Sequence, residues 1–168
     1  MDFRSIYSNA SIAIMGAGAI GSVIGGMLAR HGHNVTLIGR QPHIDEISKN
    51  GLHIEGIWGE HTVSNLNAVT SPPDEYQDIV FLTVKAFDTA TAAREALSMV
   101  GPDTTIVSMQ NGLGNVETLA RIAGKDKTVG AMAIFGVVVL AGRISFLLID
   151  LTCQSGSMKV AETQFPSS

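Results

Sequence analysis

The chain has 168 residues, enough for one domain that buries about 70% of the surface its unfolded form exposes. Its 11 Lys+Arg against 15 Asp+Glu give a formal net charge of −4, which supplies no basic footprint for nucleic acid. A single cysteine, Cys153, excludes an internal disulfide and a cysteine metal cluster and fits a reducing cytoplasm, while the five histidines show no ligand spacing backed by acids.

Ser11-Ile12-Ala13-Ile14-Met15 reads as a short strand, and Gly16-Ala17-Gly18-Ala19-Ile20-Gly21 follows it with Gly-x-Gly-x-x-Gly spacing. In that motif the first glycine permits a tight turn, the second lets main chain approach a pyrophosphate, and the third allows close packing of the next helix. The phosphates then rest on the free N–H groups at the helix start. Ligand-free glycine loops show the same spacing, so the flanking elements must carry the assignment. They agree with it: Ile20, Val23, Ile24, Met27 and Leu28 make one apolar helical stripe, and Gly32 reads as its left-handed stop.

Asn34-Val35-Thr36-Leu37-Ile38 is a second strand, and the residues that close it bear on the cofactor. An NAD site places an acid about 20 residues beyond the glycines for the ribose 2′-OH, whereas an NADP site needs a cation for the 2′-phosphate. Gly39-Arg40-Gln41 stands there with no acid. Charge-assisted bonds from Arg40 to a phosphate are worth about 1.5–3 kcal/mol, which favours NADP; the alternative is a solvated surface arginine.

Ile44 to Lys49 predicts a short helix, and Leu52–Gly56 with Glu60–Val63 alternates as a hairpin does. Ser71-Pro72-Pro73-Asp74 is a loop, and Asp78 to Val84 is a nearly continuous apolar run, as in a strand covered on both faces. A helix is expected from Asp88 to Val100, a strand from Thr104 to Met109, a helix from Val116 to Ile122 and a strand from Thr128 to Ala133. Strands alternating with helices imply an α/β, Rossmann-like, doubly wound and mostly parallel sheet with helices on both faces.

In such a sheet the strands' carboxyl ends face the ligand. Lys85 closes one strand and is placed to pair with phosphate; the plainer reading is a loop lysine. Asn111, in Gln110-Asn111-Gly112-Leu113-Gly114, offers a donor and an acceptor to a nicotinamide or substrate oxygen, or else only shapes an Asn-Gly turn. Gly136 either allows close backbone approach or merely turns the chain.

Two apolar stretches imitate targeting segments. Ile12 to Ala29 is better explained by its glycine spacing than as a signal peptide. Ala131 to Leu151 has the length of a membrane span, but Arg143 interrupts it at a cost of at least about 2.5 kcal/mol, so Gly142-Arg143 reads as a turn between buried strands. No membrane span is expected.

Taken together, Gly16 to Gly21, Arg40, Thr83-Val84-Lys85-Ala86-Phe87, and Gln110 to Gly114 with Glu117 resemble the ketopantoate (2-dehydropantoate) reductase family, from Ser11 to Gly136 and weakly on to Glu162. The resemblance implies an NADP-binding domain in which Gly16, Ala17, Gly18, Ala19, Ile20, Gly21, Arg40, Lys85, Asn111 and Gly136 contact NADP(H), with Asn111 also touching the substrate. It implies NADPH-dependent reduction of ketopantoate to pantoate on the way to pantothenate, in the cytoplasm. The family's proton-donating lysine lies in a helical second domain, and no lysine here, Lys159 included, lies in the matching context, so no catalytic residue is assigned to this chain. The sequence stops at Ser168, where that domain would begin. Ile144 to Ile149 is more continuously apolar than the family pattern, which points to burial against that domain or to homo-oligomer formation. Gly156 to Glu162 looks like the family's last Rossmann strand. A stand-alone dinucleotide sensor without turnover, or a reductase of another 2-oxoacid, are the competing expectations.

Overall fold

A computed structural model describes residues 9–56, 59–133, 136–140 and 143–147. Ten strands and four α-helices are described among them: β1 Ser11–Met15, α1 Ala19–Arg30, β2 Asn34–Ile38, α2 Gln41–Asn50, β3 Leu52–Gly56, β4 His61–Val63, β5 Asn67–Val69, β6 Ile79–Leu82, α3 Thr89–Glu95, β7 Thr105–Ser108, α4 Asn115–Ala123, β8 Thr128–Gly130, β9 Gly136–Leu140 and β10 Arg143–Leu147.

Six strands form one parallel sheet in the order β5-β2-β1-β6-β7-β8. The alternate residues of β1 divide the core. Ile12 and Ile14 pack with Val35 and Leu37 under α1 and α2, whose Val23, Ala29, Ile44 and Ile47 complete that side. Ala13 and Met15 face the other way with Val80, Leu82 and Ile106, beneath Ala92 and Ala93 of α3 and Leu119 of α4. Both faces of β1 and β2 are thus covered, as their apolar runs imply, whereas β6, expected to be covered on both faces, buries Val80 and Leu82 and leaves Ile79 and Phe81 half-buried. The doubly wound expectation holds.

A second sheet, β4-β3-β10-β9, stands beside α1. Its β3–β4 hairpin is the expected one, and it buries Leu52, Ile54 and Val63 in the α1 side of the core. β9 and β10 pair antiparallel, with β10 also parallel to β3. The stretch from Ala131 to Leu151 therefore contains two strands rather than a membrane helix, and among the described residues no helix is long and apolar enough to cross a membrane. The backbone of Ile144–Phe146 is paired on both sides within the chain. Leu148, Ile149 and the expected strand at 156–162 lie outside the described residues.

Several boundaries differ from expectation. The helix expected over 88–100 is α only at Thr89–Glu95, with 3₁₀ turns at Ala86–Asp88 and Ala96–Met99. Its tail tightens where the Met99 carbonyl accepts the Gln77 N–H at 2.9 Å, tying the helix end to the loop before β6. β8 ends at Gly130, opposite Ser108, where β7, its ladder partner among the described residues, also ends. β5 lies outside the expected elements. Asn67-Ala68-Val69 has no strand pattern of its own, and its conformation comes from pairing with Thr36–Ile38 of β2.

Candidate functional site

The strand order reverses at β1, so a crevice opens beyond the carboxyl ends of β1 and β6, where doubly wound sheets take their ligands. The turn Gly16–Gly18 fills one wall. Gly16 has φ +114°, and a Cβ on it would meet Val84 Cγ1 and the Val84 nitrogen, each at 2.8 Å. At Gly21 a Cβ would strike the Gly16 carbonyl, with Thr83 Oγ1 at 2.6 Å and Ile14 Cγ2 at 2.9 Å. Gly18 differs. Its φ of −82° is ordinary and, among the described residues and apart from its chain neighbours, no atom lies within 4 Å of where its Cβ would stand. The fold itself thus accounts for two of the three glycines, and leaves Gly18 as an open cradle against the first turn of α1. The Ser22 N–H is bonded to the Gly18 carbonyl at 2.8 Å, so the N–H groups of Ala19, Ile20 and Gly21 precede the intrahelical ladder. Added to the positive end of the helix dipole, they make a site that fits the pyrophosphate of a dinucleotide.

Hydrogen bonds hold this turn to both neighbouring strands. The Gly16 and Ala17 N–H groups donate to the Ile38 carbonyl at 3.1 and 2.8 Å. Thr83 Oγ1 donates to the Gly16 carbonyl at 2.7 Å. Arg40 follows the end of β2 as the N-cap residue of α2, and it is exposed. The Gly39 N–H bonds to the Val69 carbonyl at 3.0 Å, so β5 supports the loop that carries Arg40.

Lys85 and Asn111 lie on adjacent loops, after β6 and β7. Both are exposed, and no described hydrogen bond or ion pair engages the side chain of Arg40, Lys85 or Asn111. Buried polar contacts beneath brace the two loops against each other. Gln110 Nε2 donates to the Val84 carbonyl at 3.1 Å and to Thr89 Oγ1 at 2.7 Å. Thr89 Oγ1 in turn lies 2.9 Å from Asn115 Oδ1, and Asn115 Nδ2 donates to the carbonyls of Asn111 at 3.1 Å and Gly112 at 3.3 Å. Thr83, Thr89, Gln110 and Asn115 are therefore positioning residues to which the sequence reading gave no role. Thr83 and Gln110 stand in the matching motifs just after buried strands, while Thr89 and Asn115 begin helices after exposed loops and carry no such signal. Gly136 comes after β8 in the chain and is the first residue of β9 in the second sheet, opposite Leu147, so it lies in a strand rather than simply turning the chain.

No group of three or more His, Cys, Asp or Glu capable of holding a metal occurs among the described residues. The arrangement is thus suited to binding a dinucleotide at a strand switch point, with two cations and a carboxamide free at its rim.

A family model described as ketopantoate reductase PanE/ApbA matches residues 12–160. The 2-dehydropantoate 2-reductase of Pyrococcus horikoshii is 43% identical over 128 residues, which cover 76% of this chain and 41% of that one. A crystal structure of a PanE/ApbA family ketopantoate reductase from Ralstonia eutropha is 35% identical with a TM-score of 0.68, over 80% of this chain and 45% of its own. That of a 2-dehydropantoate 2-reductase from Geobacter metallireducens is 30% identical with a TM-score of 0.74, again over 80% and 45%. The chain spans less than half the length of each of these proteins.

Proposed function

The chain belongs to the ketopantoate reductase family, and from that premise we propose that it is the cofactor-binding part of an NADPH-dependent reductase that converts ketopantoate to pantoate, a step toward pantothenate. The observation that carries the reading is Gly18: nothing among the described residues requires it to lack a side chain, and an approaching pyrophosphate does. When bound, NADPH supplies the hydride that reduces the C2 ketone. The turn from Gly16 to Gly21 holds the pyrophosphate through backbone N–H groups. Arg40, free of any acidic partner described, binds the 2′-phosphate. Lys85 supplies a second cation at the rim of the crevice, and Asn111 orients the nicotinamide or the substrate oxygen without titrating. Gly136 is kept as a backbone contact approaching from the second sheet. No residue of this chain is assigned as proton donor to the growing alkoxide. Since general acid help is worth about 10²–10⁴-fold, residues 1–168 alone should reduce ketopantoate negligibly.

Calorimetric titration with NADPH and NADH tests the reading. The chain should prefer NADPH, and Arg40→Ala should remove about ten- to a hundredfold of NADPH affinity while sparing NADH. Equal affinities in the unaltered chain would overturn the assignment.

A further inference from the structure

Arg40 and the phosphate-binding turn belong to different helices, and one polar side-chain contact joins those helices where they face the crevice. Ser22 Oγ and His43 Nε2 share a hydrogen bond of 3.0 Å. Ser22 is fully buried on the first turn of α1, directly after the three leading N–H groups, while His43 is half-buried on the first turn of α2. His43 stands three residues beyond Arg40, so the two side chains share a face of the helix start. The Arg40 carbonyl accepts the N–H groups of His43 and Ile44, each at 3.1 Å, and Pro42 stiffens the same turn.

We propose that His43 is a positioning residue for cofactor selection, its hydrogen bond to Ser22 setting the distance between Arg40 and the α1 N-terminus so that a 2′-phosphate and a pyrophosphate are met together. This rests on the reading of Arg40 given above. Adhesion of α2 to the core does not require the contact, since Ile44 and Ile47 are buried there already at 4% and 5% exposure. An apolar contact fixes proximity, whereas a hydrogen bond fixes direction. Burial keeps the ring's pKa below that of a free histidine, with the Glu46 charge opposing. From residue 19 to 29, α1 carries no charged side chain to offset that, so His43 acts as a neutral strut and leaves the cationic role to Arg40.

The test uses the whole chain with two probes that both carry the pyrophosphate and differ only in the 2′-phosphate, 2′-phospho-ADP-ribose and ADP-ribose, titrated by calorimetry beside a melting curve. In His43→Ala and in Ser22→Ala, affinity for 2′-phospho-ADP-ribose should fall at least fivefold while that for ADP-ribose stays within twofold. His43→Gln, which can still bond Ser22, should recover most of the preference. Equal losses for both probes, or an unchanged ratio in Ser22→Ala, would overturn the proposal while Arg40 kept its role. A wild-type chain that fails to prefer 2′-phospho-ADP-ribose would overturn the Arg40 reading and this proposal with it.

Discussion

Thr83 Oγ1 donates a 2.7 Å hydrogen bond to the Gly16 carbonyl, fastening the end of β6 to the turn that ends β1. The bond crosses the point where strand order reverses, so it closes the floor of the crevice from both halves of the sheet. The same oxygen fills the space that a side chain on Gly21 would need.

Thr83→Val keeps the side-chain volume and removes the donor. Leaving the Gly16 carbonyl with one partner fewer should cost about 1–3 kcal/mol. The melting temperature should drop accordingly, and NADPH affinity should fall with it because the turn loses its brace. Unchanged melting and unchanged titration together would show that the hydroxyl is dispensable.

Gly18 and Gly21 separate binding from folding. Alanine at Gly21 forces its Cβ against the Gly16 carbonyl and to 2.6 Å from Thr83 Oγ1, so Gly21→Ala should destabilise by about 1–3 kcal/mol. Alanine at Gly18 enters open space at an ordinary φ and should leave stability within about 0.5 kcal/mol. NADPH binding should nonetheless weaken at least tenfold in Gly18→Ala. Paired melting curves and titrations of the two variants decide the matter.

What the sequence made legible follows from which forces are local. Periodicity and apolar runs announced β1, α1, β2, β6 and β7 because those patterns are local, although α1 turns Gly21, Ser22, Gly25 and Gly26 to the core and leaves Ile24, Met27 and Leu28 half-buried. The glycine turn was legible because its spacing is local, the positive φ at Gly16 and the close packing at Gly21 each requiring glycine. β5 escaped, since three residues without alternation become a strand only through a partner supplied by β2. The parallel pairing of β10 with β3 escaped for the same reason, being a contact between distant segments, whereas two strands on either side of Gly142-Arg143 were legible. The candidate rim residues Arg40, Lys85 and Asn111 could be named from type and position. Their supports, Thr83, Gln110, Asn115 and the Ser22–His43 pair, became visible only when the fold brought side chains within hydrogen-bond reach of groups 21 to 68 positions away.

Acidification should destabilise the chain in two stages. His43 has its pKa lowered by burial, so the folded state resists a proton that the unfolded chain accepts; stability falls as pH drops below about 6.5 and levels off once the folded pKa is passed. Asp78 is held low chiefly by the Ser11 backbone N–H at 2.7 Å and also by the Ser11 hydroxyl at 2.8 Å. Its contribution is present above the ordinary carboxylate value of about 4 and is lost as pH falls through the lowered folded value. Melting temperature followed from pH 8 to 3 should show His43→Gln flattening the first decline and Asp78→Asn the second. A first decline unchanged in His43→Gln would assign it to another group.

Asn111 offers the sharpest separation of chemistry from loop shape. Its backbone carbonyl is held by Asn115 Nδ2 at 3.1 Å, and the next residue but two, Gly114, carries the φ of +84° that starts α4. The loop's form thus depends on Asn115 and the glycines, while the exposed Asn111 carboxamide has no described partner. Asn111→Ala should therefore keep stability within about 1 kcal/mol, the range for a substitution that buries nothing. Asn115→Ala removes a buried side chain from Thr89 and from two carbonyls, and should cost about 1–3 kcal/mol and move the loop. In a protein that includes the remainder of the family's length, Asn111→Ala should lower kcat/KM for ketopantoate at least tenfold with melting unchanged. If instead Asn111→Ala lowers the melting temperature as far as Asn115→Ala and spares kcat/KM, the carboxamide only shapes the turn, and the orienting role must pass to another group at the rim.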